Sequence, residues 1–157
     1  TYGSRVGITR CGNVYGGGDL NFSRIVPDVI HSFLMGRSPE IRSDGNYQRD
    51  FIYVEDAVAA YISLAQALAR GEHYGESFNF GHNKPYAVGE VVREIAQRIN
   101  AGIEPKILAN ARFEIRDQYL DASKAYERLG WRPTVDLASG LDKTILWYKA
   151  HFDEYVV

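Results

Sequence analysis

The chain has 157 residues, enough for one domain or part of a larger one, and at this size folding removes roughly 70% of the unfolded surface from water. Hydrophobic residues make up 45%, and 18 Lys+Arg against 20 Asp+Glu leave a net charge of -2, so no broad positive field exists to hold nucleic acid or an anionic membrane. The single cysteine, Cys11, excludes an internal disulfide and a thiolate-rich metal site, and no apolar run approaches the roughly 18 residues of a membrane span; the expectation is a soluble, cytoplasmic protein.

Along the chain, the β-branched run Arg5 to Cys11 predicts a buried strand. Asn13 to Asp19, with Gly16, Gly17 and Gly18 in succession, predicts a loop, because consecutive glycines carry too much backbone entropy for a regular element. That loop lacks the Gly-Lys-Ser/Thr ending of a P-loop, so it does not read as a nucleoside-triphosphate cradle. Ile25, Val26, Val29, Ile30, Phe33 and Leu34 recur at helical spacing between Arg24 and Met35, with Pro27 in the first turn and Gly36 as C-cap. A turn-rich stretch from Arg37 to Arg49 leads to a short strand over Asp50 to Val54, then a helix over Glu55 to Ala69 and a strand over Ser77 to Gly81. A further amphipathic helix covers Val88 to Asn100, and Lys106 to Ala109 forms a short strand. Asp121 caps a helix ending at Gly130, and a last helix from Leu137 to Phe152 puts Leu141, Ile145, Tyr148 and Phe152 on one face. Strands alternating with helices indicate an α/β architecture with parallel strands. Two strands joined through long helices are too few for a complete sheet, so the chain reads as part of a larger α/β protein whose other strands precede Thr1. The four histidines show no metal-ligand spacing, and no metal site is expected.

Five segments taken together carry a resemblance: Arg10-Cys-Gly-Asn-Val-Tyr-Gly-Gly-Gly-Asp19, Arg24-Ile-Val-Pro27, Gln48-Arg-Asp-Phe-Ile-Tyr-Val-Glu-Asp56, Phe78-Asn-Phe-Gly81 and Asp121-Ala-Ser-Lys124. In this order they resemble the extended short-chain dehydrogenase/reductase family, and within it the nucleotide-sugar 4,6-dehydratases, with the Gly-Asn-x-x-Gly-Gly-Gly-Asp segment closest to the CDP-glucose enzymes. The likeness spans the whole chain but only the C-terminal half of such an enzyme. It implies the C-terminal part of an extended Rossmann-type fold: residues 1–20 and 53–82 as the last parallel strands and helix, residues 21–52 and 83–157 as a small, mostly helical substrate-binding part. It also implies a nucleotide-diphosphate sugar as ligand, NAD as cofactor of the parent enzyme, a missing N-terminal half, and a homodimer or higher assembly. The Gly-x-x-Gly-x-x-Gly fingerprint is absent here and no Tyr is followed four residues later by Lys, so the catalytic residues are expected upstream and this chain alone is expected neither to hold NAD nor to turn over substrate.

The resemblance assigns the remaining residues. Asn13, at the carboxyl end of the first strand, corresponds to an amide that contacts the sugar-nucleotide diphosphate. Arg24 opens a helix whose free N–H groups attract anions, and Ile25 follows it in the substrate site. Arg49 is the strongest candidate, since a guanidinium can grip two phosphate oxygens at once. Pro39 and Glu40 lie in the segment that packs against the nucleobase, where Glu40 could accept from the amine of a cytosine. Asn79, Glu114 and Arg116 match phosphate or ribose contacts, and backbone at Gly12 borders the nicotinamide. Two rivals share these features: a nucleotide-sugar 4-epimerase of the same family, and a binding module that has kept the nucleotide site and lost the chemistry.

Overall fold

The computed structural model describes residues 4–111 and 114–155. Thr1 to Gly3, where the chain begins, and Phe113, next to Glu114, lie outside the described residues.

Two parallel pairs form the strand framework. β1 (Ile8–Cys11) pairs with β6 (Ser77–Phe80), and β2 (Asn13–Tyr15) pairs with β5 (Phe51–Tyr53). The chain changes neighbour at Gly12, whose N–H donates to the Phe80 carbonyl at 3.1 Å, while the next residue, Asn13, donates its N–H to the Asp50 carbonyl at 2.7 Å. The loop expected from Asn13 therefore begins only at Gly16. Val14 and Tyr15 suit a strand, and the Asp50 carbonyl supplies the edge that extends it.

Shorter pairings complete the framework. β3 (Glu40–Ile41) runs parallel to β8 (Lys106–Ile107), and β4 (Gln48–Arg49) lies between antiparallel β7 (Tyr86–Ala87) and parallel β9 (Asp117–Gln118). The helices are α1 (Ile25–Leu34), α2 (Val54–Ala69), α3 (Val88–Ile99), α4 (Ser123–Arg128), α5 (Leu137–Ala150) and the single turn α6 (Phe152–Tyr155). Two details of the sequence reading are corrected. Phe152 sits in α6 and not on the face of Leu141, Ile145 and Tyr148, because the helix ends at Ala150. Ala122, not Asp121, occupies the N-cap of α4; Asp121 Oδ1 still accepts from the Ser123 N–H at 2.9 Å.

Side-chain alternation along β5 divides the interior. Phe51 and Tyr53 join Val29 and Ile30 of α1, Val91 and Ile95 of α3 and Leu141 of α5 in one core, whereas Ile52 points the other way, to Ala60 and Leu64 of α2 and to Phe78 and Phe80 of β6. All three β5 residues are consequently buried, as in a strand covered on both faces. Ala122, Ala125 and Trp131 pack into the strand-side core although they follow the helical stretch in sequence. Among the described residues no helix is long and apolar enough to cross a membrane.

Candidate functional site

The change of partner at Gly12 opens a cleft of about 570 Å³ between the end of the strand framework and the N-terminus of α1; Gly12, Asn13, Arg24, Ile25, Arg42 and Arg49 are on its walls. A hollow of about 160 Å³ adjoins it and adds Glu40 and Glu114 to Asn13, Ile25, Arg42 and Arg49. Seven of the ten residues named from sequence thus reach one region: Gly12, Asn13, Arg24, Ile25, Glu40, Arg49 and Glu114. A larger hollow of about 730 Å³ near Tyr86, Arg93 and Leu137 collects none of them.

Each side chain is set by a local reason. Asn13 Nδ2 donates to the Asp50 carbonyl at 3.1 Å, which turns its amide so that Oδ1 and the second N–H remain for a ligand. Arg24 is the N-cap residue of α1 in extended conformation and makes no side-chain capping bond; its guanidinium lies 3.3 Å from Asp19 on the surface. Arg49 is the best held. Its Nη1 donates to the Gln48 carbonyl at 2.8 Å and the Arg116 carbonyl at 3.0 Å, and its side chain is 15% exposed. With Nη1 occupied, a two-pronged grip would use the Nε and Nη2 edge, where Nη2 lies 3.9 Å from Glu114 Oε2. Neither Asp50 nor Glu55, the neighbours that could have neutralised Arg49, pairs with it; Glu55 is bound by Lys143 at 2.8 Å.

Three of the named residues are not brought to the cleft. Asn79 shares no wall with Arg49: its Nδ2 donates to the Asp121 carbonyl at 3.1 Å, which fixes it against the segment entering α4. Of Asn13, Arg49 and Asn79, all expected at phosphate or ribose, only Asn13 and Arg49 share the cleft. Pro39 is buried and takes part through its carbonyl, which accepts from the Lys106 N–H at 2.9 Å. Arg116 contributes its carbonyl to Arg49 while its own side chain is exposed. Glu40 reaches the hollow, but its carboxylate already faces Lys106 Nζ at 3.0 Å, so a nucleobase amine would have to compete with that ion pair.

The sequence reading missed Arg42 and Asp50. Arg42 follows buried Ile41 as Glu40 precedes it, so strand alternation places both on the open side, a signal present in Pro39-Glu-Ile-Arg42. Asp50 is 1% exposed; its Oδ1 accepts from the His82 N–H at 3.4 Å, and among the described residues its Oδ2 has no hydrogen-bond partner. Burial pushes the Asp50 carboxyl above the usual carboxylate range, against the His82 and Leu120 amides, which pull it down. Asp28, beside the cleft in the first turn of α1, is raised by the same desolvation, opposed chiefly by the Ser32 hydroxyl.

The glycines have structural explanations. A Cβ on Gly12 would lie 3.0 Å from the Asp50 carbonyl oxygen and 3.1 Å from its carboxyl carbon. On Gly16 it would meet Val54 Cγ1 at 2.5 Å, and on Gly17 it would run into the Trp147 side chain, while Gly18 has φ +83°. The triple glycine accordingly seats the loop against α2 and α5. Gly12, expected beside the nicotinamide, lies on the wall of the cleft. No group of three or more His, Cys, Asp or Glu among the described residues is placed to hold a metal ion.

Known proteins share this fold. Residues 1–81 match the NAD dependent epimerase/dehydratase family. The dTDP-glucose 4,6-dehydratase of Haemophilus influenzae is 32% identical over 161 residues, covering 94% of this chain and 46% of that protein. The crystal structure of the UDP-glucose 4-epimerase of Thermotoga maritima with UDP-glucose superposes with a TM-score of 0.84 at 28% identity, over 93% of this chain and 46% of its own. The dTDP-glucose 4,6-dehydratase of Bacillus anthracis, in complex with NAD, gives 0.79 at 26% identity, over 94% and 46%. The chain spans about half the length of the relatives it matches. With its first 81 residues matched and its parallel α/β framework shared with solved members, the chain belongs to the NAD dependent epimerase/dehydratase family, the extended short-chain dehydrogenase/reductases of Rossmann-type fold.

Proposed function

We propose that this chain is the substrate-binding half of an NAD-dependent nucleotide-sugar 4,6-dehydratase acting on CDP-glucose, and that its cleft grips the diphosphate. The observation that carries the reading is the meeting of Asn13, Arg24 and Arg49 in one cleft at the N-terminus of α1. A guanidinium held at Nη1 by two carbonyls has lost its rotamer freedom before any ligand arrives, so less is lost on binding. The helix N-terminus adds partial positive charge where the phosphates would lie. A clamp of this kind acts at a distance from the reacting carbons and contributes by orienting the hexose, with the chemistry supplied by the other half. Support for a cytidine base comes from the loop resemblance and from Glu40 as an acceptor; the triple glycine itself has the packing explanation given above.

A second reading, a nucleotide-sugar 4-epimerase, is favoured by the superposition on the Thermotoga maritima enzyme. Both readings need the same clamp and differ in the product of the whole enzyme, a 4-keto-6-deoxy sugar or the 4-epimer.

Calorimetric titration of CDP-glucose, UDP-glucose and dTDP-glucose into the 157-residue chain tests the binding reading, with CDP-glucose expected to bind best. Arg49→Lys keeps the charge but loses the fork and the Nη1 anchor, so affinity should fall by about 1.5–3 kcal/mol. Unchanged affinity in that variant would remove the clamp, and a preference for another base would correct the substrate.

A further inference from the structure

Glu114 holds an unusual place among the cations of the cleft. Its Oε1 lies 3.8 Å from Arg42 Nε and its Oε2 lies 3.9 Å from Arg49 Nη2. A charge-assisted hydrogen bond is shorter, about 2.7–2.9 Å, so the carboxylate screens two guanidiniums without bonding tightly to either. The Arg42 side chain is 70% exposed and that of Glu114 39%, and ion pairs in water at such separations are worth little. What they fix is spacing: one carboxylate stands within reach of both cations.

The backbone prepares the same arrangement. The Arg42 carbonyl accepts from the Asn110 and Ala111 N–H groups at 2.8 and 3.1 Å, tying Arg42 to the stretch that leads to Glu114. On the other side of Glu114, the Arg116 carbonyl accepts from Arg49 Nη1. The two arginines are thus held by short bonds to residues on either side of Glu114, while the three head groups stay apart. A diphosphate carries more charge than a carboxylate and presents oxygens on two phosphorus centres, so it can make the short bonds that Glu114 does not.

We propose that Arg42 and Arg49 form a two-arginine seat for a diphosphate and that Glu114 is its displaceable occupant, holding the cations at anion spacing until the ligand takes its place. The proposal deepens the nucleotide-sugar reading and rests on it for the source of the diphosphate. It gives Arg42 a binding role and makes Glu114 a competitor of the phosphates.

Inorganic pyrophosphate, which has no ribose or base, isolates the seat. In calorimetric titrations of the 157-residue chain, Glu114→Gln should bind pyrophosphate about two- to fivefold more tightly, the worth of an exposed ion pair no longer broken. Arg42→Ala should bind it at least about fivefold more weakly, and Arg42→Lys should recover most of the loss. In the Arg42→Ala background the gain from Glu114→Gln should shrink, because both changes act on one interaction. The seat is overturned if Glu114→Gln leaves pyrophosphate affinity unchanged or weakens it, or if Arg42→Ala has no effect. Sugar nucleotides that bind the wild type while pyrophosphate ignores both variants would sink the seat and leave the nucleotide-sugar reading standing. The expected pyrophosphate responses without sugar-nucleotide binding would do the reverse, and no binding of either ligand would overturn both.

Discussion

Two buried aspartates six residues apart mark two different regions. Asp56, in the first turn of α2, is 2% exposed and its carboxylate is saturated: Oδ1 accepts from the Thr134 N–H at 2.9 Å and the Thr134 hydroxyl at 2.8 Å, and Oδ2 accepts from the Val135 N–H at 3.0 Å. Asp50, just before β5, is buried as deeply but has one oxygen without a partner among the described residues, beside Gly12, Gly81 and a hollow of about 90 Å³ at the cleft's edge. Burial of an ionised group is tolerated when donors surround it and is costly when they do not. The Asp56 region is therefore a staple that ties α2 to the segment before α5, whereas the Asp50 region keeps unspent hydrogen-bonding capacity where the strands diverge. A similar contrast separates Glu55, paired with Lys143 at 2.8 Å, from Arg49, whose Nη2 stands 3.9 Å from the Glu114 carboxylate.

The staple predicts the largest effect. Asp56→Ala leaves the Thr134 and Val135 N–H groups and the Thr134 hydroxyl without their acceptor, while the Trp131 Nε1 bond to the Asp56 carbonyl at 3.3 Å is kept because it is to backbone. Loss of a buried charged hub of this kind should cost about 3–5 kcal/mol in urea-unfolding free energy, with the m-value unchanged. A loss below about 1 kcal/mol would mean that the three donors find water, and the contrast with Asp50 would disappear.

The helices were legible because their periodicity is local: Val29, Ile30 and Phe33 in α1, or Val91, Val92 and Ile95 in α3, announce a buried face within a dozen residues. The strands β1 and β6 were visible too, in β-branched Ile8 and Thr9 and in the alternation of Phe78 and Phe80, but the expected burial of the first strand is corrected: Val6 is 54% and Ile8 49% exposed, because β-branching marks an extended backbone and not what covers it. Two-residue strands such as β4 and β9 were not, since Gln48 and Asp117 have no pattern of their own and become strands only by meeting. The cleft was legible through the five ordered segments, and Asn13, Arg24 and Arg49 do share it. Asn79 misled because strand alternation shows which face a side chain takes but not the carbonyl, here that of Asp121, that will hold it. What Gly16 and Gly17 seat against was not legible, because nothing local shows that Val54 and Trp147 will pack against their bare Cα atoms. Arg42 gains meaning only beside Glu114, 72 residues later by their numbers.

The smallest effect comes from Asp50 and has the opposite sign. Its folded-state pKa is raised, chiefly by desolvation, so below the ordinary carboxylate pKa both folded and unfolded chains carry the proton and the fold bears no penalty. As pH rises past that value the unfolded chain ionises first, and stability falls until pH passes the raised folded value, after which the penalty is constant. Asp50→Asn removes this titration while keeping the shape, so the variant should match the wild type near pH 3 and exceed it at pH 7 by about 1 kcal/mol, the lower end of the cost of an unsatisfied buried polar group. Other carboxyls titrate in the same range: Asp28 is also raised, and Glu76 is held down to about 2 by Lys124 first, then by His73 and Arg128, so its stabilisation is lost as pH falls. These contributions are common to both proteins and cancel in the difference between their urea-unfolding free energies. A difference that grows toward acid, or a variant less stable at pH 7, would show that the second oxygen of Asp50 has a donor in solution, and the two aspartates would then be staples of the same kind.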